Sequence, residues 1–335
     1  MKKWQKVVVL GLALSVWGGS AFGRNDSGPT SVAEHFKDKT VVLIPMAMGM
    51  DLSQGWAHYI GNSLKAEGIH FETRDPNWKP DDGAEALTDA INRKVAAVIV
   101  QSPDLQSYSR LYNRAQQAGI YVIQVDNPSN FSSDAFVGSN WATVGQLEAQ
   151  AVVSGCGANS TQKIGVIQGD QVNASSLDQW AGLQEELKKH PGFEVVAAPY
   201  SNWDETTARN VTSTLIQQHP DVCGIVDFWS TTAQGTGAAI RDAGKTGKIF
   251  LATTGGGEQA DCDRLSNGVI DALVSTDVPN QSRDISTLVK YLLQSGIQAG
   301  SAKTWIYTPE SITTRADLKP GTCWSLKANA AANHS

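Results

Sequence analysis

The chain has 335 residues, 41% of them apolar and 18% charged, the proportions of a soluble globular protein rather than of a disordered, collagen-like or polytopic membrane chain. At roughly 100–200 residues per domain that length favours two domains. The 27 basic residues are outnumbered by 33 acidic ones, a net charge of -6, which leaves no electrostatic basis for gripping a nucleic-acid backbone.

In chain order, Lys2, Lys3 and Lys6 precede an apolar run at 7–17, and Ala21-Phe22-Gly23 supplies small residues at the spacing of a signal-peptidase site. Residues 1–23 therefore read as a cleaved secretory signal, the run being well short of the roughly 20 residues that span a bilayer. Short apolar runs then alternate with amphipathic segments of helix length. Strands are predicted at 40–45, 70–74, 96–101, 121–125, 163–168, 193–198, 224–228, 249–252 and 270–275. Helices are predicted at 56–67, 83–92, 105–118, 144–153, 179–190, 205–218, 233–243 and 283–294. This alternation is the α/β signature of parallel sheets covered on both faces. It runs once before residue 130 and again after 160, with an irregular polar stretch at 127–133, so two doubly wound lobes are expected.

In such sheets ligands sit beyond the carboxyl ends of the strands. Those predicted loops hold amides, hydroxyls, a few carboxylates and several indoles, at 46–54, 126–127, 170–176, 203–204, 229–232, 253–258 and 277. Aromatic faces beside directional hydrogen-bonding groups suit a small neutral polyhydroxy molecule, and no basic cluster awaits a phosphate. No GxSxG elbow, HExxH pair or P-loop occurs, the run Thr253-Thr254-Gly255-Gly256-Gly257 reads as a turn, and the six histidines are scattered. The chain is read as a non-enzyme needing no cofactor and no metal. Cys156, Cys223, Cys262 and Cys323, even in number in an exported chain, are disulfide candidates, with three connectivities open. Trp56 and Trp180 lie within predicted helices, where core packing competes with a site role.

Stretches in both halves, in order, resemble the ribose-binding type of periplasmic binding protein, the sugar-binding group of type I solute receptors. They include "AVIVQSP" at 97–103, "GIYVIQVDN" at 119–127, "VGSNWATVG" at 137–145, "HPDVCGIVDFW" at 219–229, "AQGTGAAIRDAGKTGK" at 233–248 and "SNGVIDALVSTDVPNQ" at 266–281. By that resemblance Asp126 matches a carboxylate that binds sugar hydroxyls, Asn127 stands where an Arg is usual, and Trp203 falls on an aromatic that stacks against the ring. Trp229 replaces a common Asn, the stretch from Thr254 to Gly256 covers a position where an Asp is common, and Asp277 or Thr276 falls on a polar position at the second crossover. In the loop after the first strand, 50–53 replace an Asn and an aromatic, making Asp51 the candidate there. No Arg occurs at 177–179, so the resemblance implies a sugar site without the family's arginine pair. Trp141 is similar in placement to a Trp of a periplasmic sensor for trimethylamine N-oxide, and a cage of indoles takes a methylated amine by cation-π contact.

The resemblance implies two α/β lobes joined by a three-strand hinge: 36–139 with 278–306, and 140–277 with 307–335. It implies a monomeric periplasmic protein that closes on a sugar or polyol for an ABC permease, or, alternatively, one that presents a ligand such as a methylated amine oxide to a membrane sensor, a histidine kinase or chemoreceptor. Both disulfides are expected within the second lobe.

Overall fold

The structure is a computed structural model that describes residues 34–326, so the expected signal segment lies outside the described residues. The first run comprises β1 (Thr40–Ile44), α1 (Asp51–Ala66), β2 (His70–Thr73), α2 (Pro80–Asn92), β3 (Ala97–Val100), α3 (Ser109–Gln117), β4 (Tyr121–Val125) and β5 (Ala135–Gly138). The second comprises α4 (Trp141–Cys156), β6 (Lys163–Ile167), α5 (Ala174–Leu187), β7 (Glu194–Ala197), α6 (Glu205–Gln218), β8 (Gly224–Asp227), α7 (Ser230–Asp242), β9 (Phe250–Gly255), α8 (Gln259–Asn267) and β10 (Ala272–Ser275). The chain then returns through α9 (Val278–Ser295) and β11 (Thr304–Tyr307) before β12 (Ser311–Thr314).

The strands form two sheets, ordered β11-β5-β4-β3-β1-β2 and β12-β10-β9-β8-β6-β7. All pairings are parallel except the antiparallel edge pair of β10 and β12. The protein is thus two α/β lobes, and the chain passes between their sheets three times, after Gly138, Ser275 and Tyr307. Central strands such as Val41–Ile44 and Ala97–Val100 are buried throughout because helices cover both faces, which is why they read as continuous apolar runs. On one face of the first sheet Trp56, Ile60 and Leu64 of α1 pack with Ile285, Val289 and Leu292 of α9. Leu87, Ile91, Tyr112 and Ala115 cover the other face. Trp56 is fully buried and donates its indole N–H to Gln281 Oε1 at 3.0 Å, so it is core; truncating such a residue costs about 3–5 kcal/mol. Trp180 packs, partly buried, on the second lobe's core.

One helix contact bears directly on the cleft. A Cβ on Gly145 would lie 1.9 Å from the Gln179 carbonyl oxygen, and one on Gly182 would lie 1.9 Å from that of Ala142. Only paired glycines let α4 and α5 approach backbone to backbone, and this brings both N-termini, with Trp141 and Ser175, to the same edge.

Several helices begin earlier than their apolar periodicity predicts, at Asp51, Trp141, Ala174 and Val278. Their first turns interrupt the apolar periodicity with polar residues: Ser53 and Gln54, Thr143, Ser175 and Ser176, and Asn280 and Gln281. Three are capped by side chains: Asn140 accepts from Thr143 N, Asn173 from Ser175 N, and Asp277 from Asn280 N. The strands β5, β11 and β12 and the helix α8 were not predicted: AFVG is short, β11 and β12 are half-exposed edges, and α8 is largely polar. The run 253–257, expected as a turn, is strand β9 up to Gly255, and the chain leaves the sheet only at Gly256 and Gly257. Disulfides join Cys156 to Cys223 and Cys262 to Cys323. The first ties the end of α4 to the start of β8, and the second ties α8 to the C-terminal tail.

Candidate functional site

The loops at the carboxyl ends of both sheets face each other and enclose a cavity of about 60 Å³. The first lobe supplies Met46, Met50 and Leu52 after β1, Trp78 after β2, Gln101 after β3, and Asp126 with Asn127 after β4. Asp126 adopts a left-handed backbone, φ 64°, at the point where β4 ends. Its carboxylate accepts one hydrogen bond, from Gln101 Nε2 at 3.0 Å, while Gln101 Oε1 accepts from Met46 N at 3.0 Å. Gln101 thereby ties the loop after β1 to the acid. Burial raises the Asp126 carboxyl to about 7 despite the Gln101 hydrogen bond, because removing a carboxylate from water penalises its charged form. Asn127, 3% exposed, donates from Nδ2 to Met46 Sδ, and its Oδ1 has no partner among the described residues. A buried acceptor without a donor is costly, and a ligand hydroxyl would satisfy it.

The second lobe supplies the opposite wall: Trp141, Ser175, Trp203, Phe228, Trp229 and Thr254, with Asn173, Gly255, Gly256 and Thr276 completing it. Trp203 lies flat on Gly169, where a Cβ would come within 2.0 Å of the ring, and donates its indole N–H to Asp170 Oδ2 at 2.8 Å. Trp229 neighbours two other indoles, its ring centroid 6.3 Å from that of Trp203 and 6.1 Å from that of Trp78. Trp141 donates its indole N–H to the Asp126 carbonyl oxygen at 2.7 Å, a bond that spans the two lobes. Asn173 Nδ2 also crosses, to the Pro103 carbonyl at 3.3 Å, so the lobes are closed on each other.

Behind this wall lies a buried network. Thr254 Oγ1 donates to Glu148 Oε1 at 2.7 Å, and Gln179 Nε2 donates to Glu148 Oε2 at 2.8 Å. Burial raises Glu148 to about 8 and Asp227 to about 7; Asp227 accepts from the hydroxyls of Thr232 and Thr236. These acids hold the ends of β8 and β9 in place and do not line the cavity. Among the described residues, Asp126 is the one ionisable side chain that does.

Of the sequence candidates, Asp126, Asn127, Trp141, Trp203, Trp229 and Thr254 converge on the cavity. Asp277 does not: at φ 53° its side chain turns back to cap α9, accepting from Asn280 N at 3.1 Å, while its neighbour Thr276 lines the cavity. Asp51 is exposed on the first turn of α1, and its apolar neighbours Met50 and Leu52 point inward instead. Trp78 and Gln101 were missed. Gln101 is the lone polar residue closing an apolar strand, and Trp78 belongs to an Asn-Trp dipeptide that recurs at 140–141 and 202–203, two signals that the sequence does carry.

A sequence model described as "Periplasmic binding protein domain" matches residues 41–297. The D-allose-binding periplasmic protein of Escherichia coli is 29% identical over 151 residues, 43% of this chain and 48% of that protein. The D-apiose import binding protein of Paraburkholderia graminis is 27% identical over 192 residues, 56% of this chain and 57% of that protein. The chain thus spans about half the length of these curated relatives. Among solved structures, an ABC transporter solute-binding protein from Burkholderia graminis in complex with D-arabinose superposes with TM-score 0.78 at 19% identity, covering 85% of this chain and 98% of that one. A periplasmic solute-binding protein of Actinobacillus succinogenes with bound D-allose gives 0.75 at 17% identity, with 83% and 98% covered. At such identities the structures speak to the fold.

Proposed function

The chain belongs to the periplasmic binding protein family, and from that premise we propose that it captures a small neutral polyhydroxy ligand, a sugar or polyol, for an ABC importer. The observation that carries the reading is the pairing of one buried acid with an aromatic wall. Asp126, held by Gln101, and the open acceptor of Asn127 offer oxygens to ligand hydroxyls. Trp203, Trp229 and Trp141 offer faces to its C–H surface. With no Lys or Arg among the described residues of the cavity wall, a phosphate or carboxylate would leave its charge buried and unpaired.

In this reading the lobes are 36–139 with 278–307 and 140–277 with 308–326, Tyr307 going to the first rather than, as expected, to the second because it pairs with Gly138, and they rotate about the three crossing segments. Opening admits the ligand to the first lobe's acceptors. Closure adds the second lobe's indoles, and that extra contact is what shifts the population toward the closed form. The closed form is the one a permease recognises. The protein acts as a periplasmic monomer without enzymatic turnover, in keeping with relatives named as binding proteins. The import role is supported by the apiose relative's name, whereas neither curated relative is named as a sensor.

A thermal-shift screen of neutral sugars and polyols, sugar phosphates, uronic acids and methylated amines tests the proposal. Stabilisation by at least one neutral sugar or polyol is expected. A response confined to charged compounds would overturn it.

A further inference from the structure

The dipeptide Asn-Trp occurs three times, at 77–78, 140–141 and 202–203; the second caps α4 with Asn140 at φ -79°, while the first and third form left-handed turns between a strand and a helix, β2 to α2 and β7 to α6. Both strands are the edge partners of the first strand of their sheet, so the two turns are equivalent positions in the two lobes. All four residues are left-handed, with φ of 48° and 63° in the first turn and 52° and 60° in the second. A bulky L-residue keeps that conformation only where its surroundings hold it. Asp75 Oδ1 accepts from Asn77 N at 2.9 Å and Trp78 N donates to the Met46 carbonyl at 2.9 Å. In the other turn Asn202 N donates to the Gly169 carbonyl at 2.8 Å. The outcome is a pair of indoles, one from each lobe, at the mouth of the inner cavity.

Beyond them opens a groove of about 460 Å³, which shares Met46, Trp78, Gln101 and Trp203 with the inner cavity. The inner cavity is the smaller of the two, about 60 Å³ against about 460 Å³. Sites that enclose small organic ligands offer about 300–1,000 Å³, a range that the groove reaches and the inner cavity does not. Flat apolar surfaces line the groove on both sides: Pro76, Pro80 and Tyr108 from the first lobe, Val172 from the second. Its charged residues are Asp104, Asp170, Asp204 and Lys79, an acidic surplus that disfavours an anion.

We propose that this groove is a second subsite of the same ligand site, and that the ligand is a neutral glycoside whose sugar reaches Asp126 while its second ring lies between Trp78 and Trp203. This rests on the reading that the inner cavity accepts a neutral sugar. The paired turns then act as jaws: Trp78 stands half in solvent, Trp203 is braced on the second lobe's core, and both line the groove where the glycosidic partner would lie.

Calorimetric titration of the purified full-length mature protein with monosaccharides, their methyl and phenyl glycosides and neutral disaccharides tests this. The best extended ligand is expected to bind about tenfold or more tighter than its parent monosaccharide, the gain of one well-placed ring. Val172 is 56% exposed and touches only the groove, so Val172→Trp should fold normally. By filling the groove it should erase that gain and leave monosaccharide affinity unchanged. Monosaccharides that bind while every extension is neutral or harmful would overturn the subsite and leave the sugar-binding reading intact. Failure of all neutral sugars, simple and extended, would overturn both.

Discussion

The two left-handed Asn-Trp turns share a backbone and differ in what surrounds the indole. Trp203 rests on Gly169 with its N–H held by Asp170, whereas Trp78 is 43% exposed and neighbours the ring of Trp229. The same division runs through the whole site: the first lobe presents acceptors at Asp126 and Asn127, and the second presents a braced aromatic wall backed by Glu148, Gln179 and Thr254. Equivalent chain positions thus acquire different roles from their neighbours. On the proposed reading, one lobe reads hydroxyls and the other supplies buried area.

The largest expected effect falls on the lobe that carries the staples. Both disulfides involve the second lobe, and Cys156–Cys223 closes 67 residues. Replacing both with Ser should cost up to about 4 kcal/mol for each bridge by the loop-entropy account, read as a lower urea midpoint. Ligand affinity among folded molecules should change little, since neither cysteine pair lines the cavity. A variant as stable as the parent would remove that contrast between the lobes.

Next comes the comparison of the two indoles. Trp203→Ala should weaken binding of the best sugar by roughly 100-fold, combining about 1 kcal/mol of aromatic contact with about 2 kcal/mol of lost area. Trp78→Ala should weaken a simple sugar by less than about tenfold, because its ring is already half in solvent. If the order is reversed, the braced wall is not the one that binds. If Trp203→Ala instead lowers the melting temperature strongly at near-normal affinity, its role is packing.

A smaller effect concerns pH. Asp126 and Asp227 are raised to about 7 and Glu148 to about 8 by burial, from ordinary values near 4. The folded state therefore holds protons that the unfolded state has released, and the stabilisation this gives is present at acid pH and fades as pH rises from about 4 to 8. Denaturant unfolding of the free protein should show lower stability at pH 8 than at pH 5, on the order of 1–2 kcal/mol after local relaxation. A rise over that interval would contradict the burial of these acids.

The central strands were legible because burial on both faces leaves them apolar without alternation, as in Val41–Ile44 and Ile225 with Val226. The edges were not, since β11 and β12 are exposed four-residue strands with no pattern to read. Asp126, Asn127, Trp203, Trp229 and Thr254 were legible from their place at strand ends, and Trp141 from its resemblance to a sensor's Trp. Asp277 and Asp51 misled because sequence fixes which loop a carboxylate occupies, not whether it caps the next helix or faces solvent. Trp78 was hidden because its loop precedes a Pro-initiated helix and reads as surface, although the repeated dipeptide marks it.

The most direct test of the central claim, that an ionised Asp126 in the first lobe reads ligand hydroxyls, is the affinity of the best neutral sugar at pH 6 and pH 8 for the wild-type protein and for Asp126→Asn. A hydroxyl donating to the carboxylate favours its charged form, so wild-type affinity should rise through the group's value of about 7, approaching tenfold per unit below it. Asp126→Asn should bind roughly tenfold to 100-fold more weakly at pH 8, the worth of a hydrogen bond to a charged group, and show a flat profile. Parallel profiles for the two proteins, or undiminished binding by Asp126→Asn, would contradict the account.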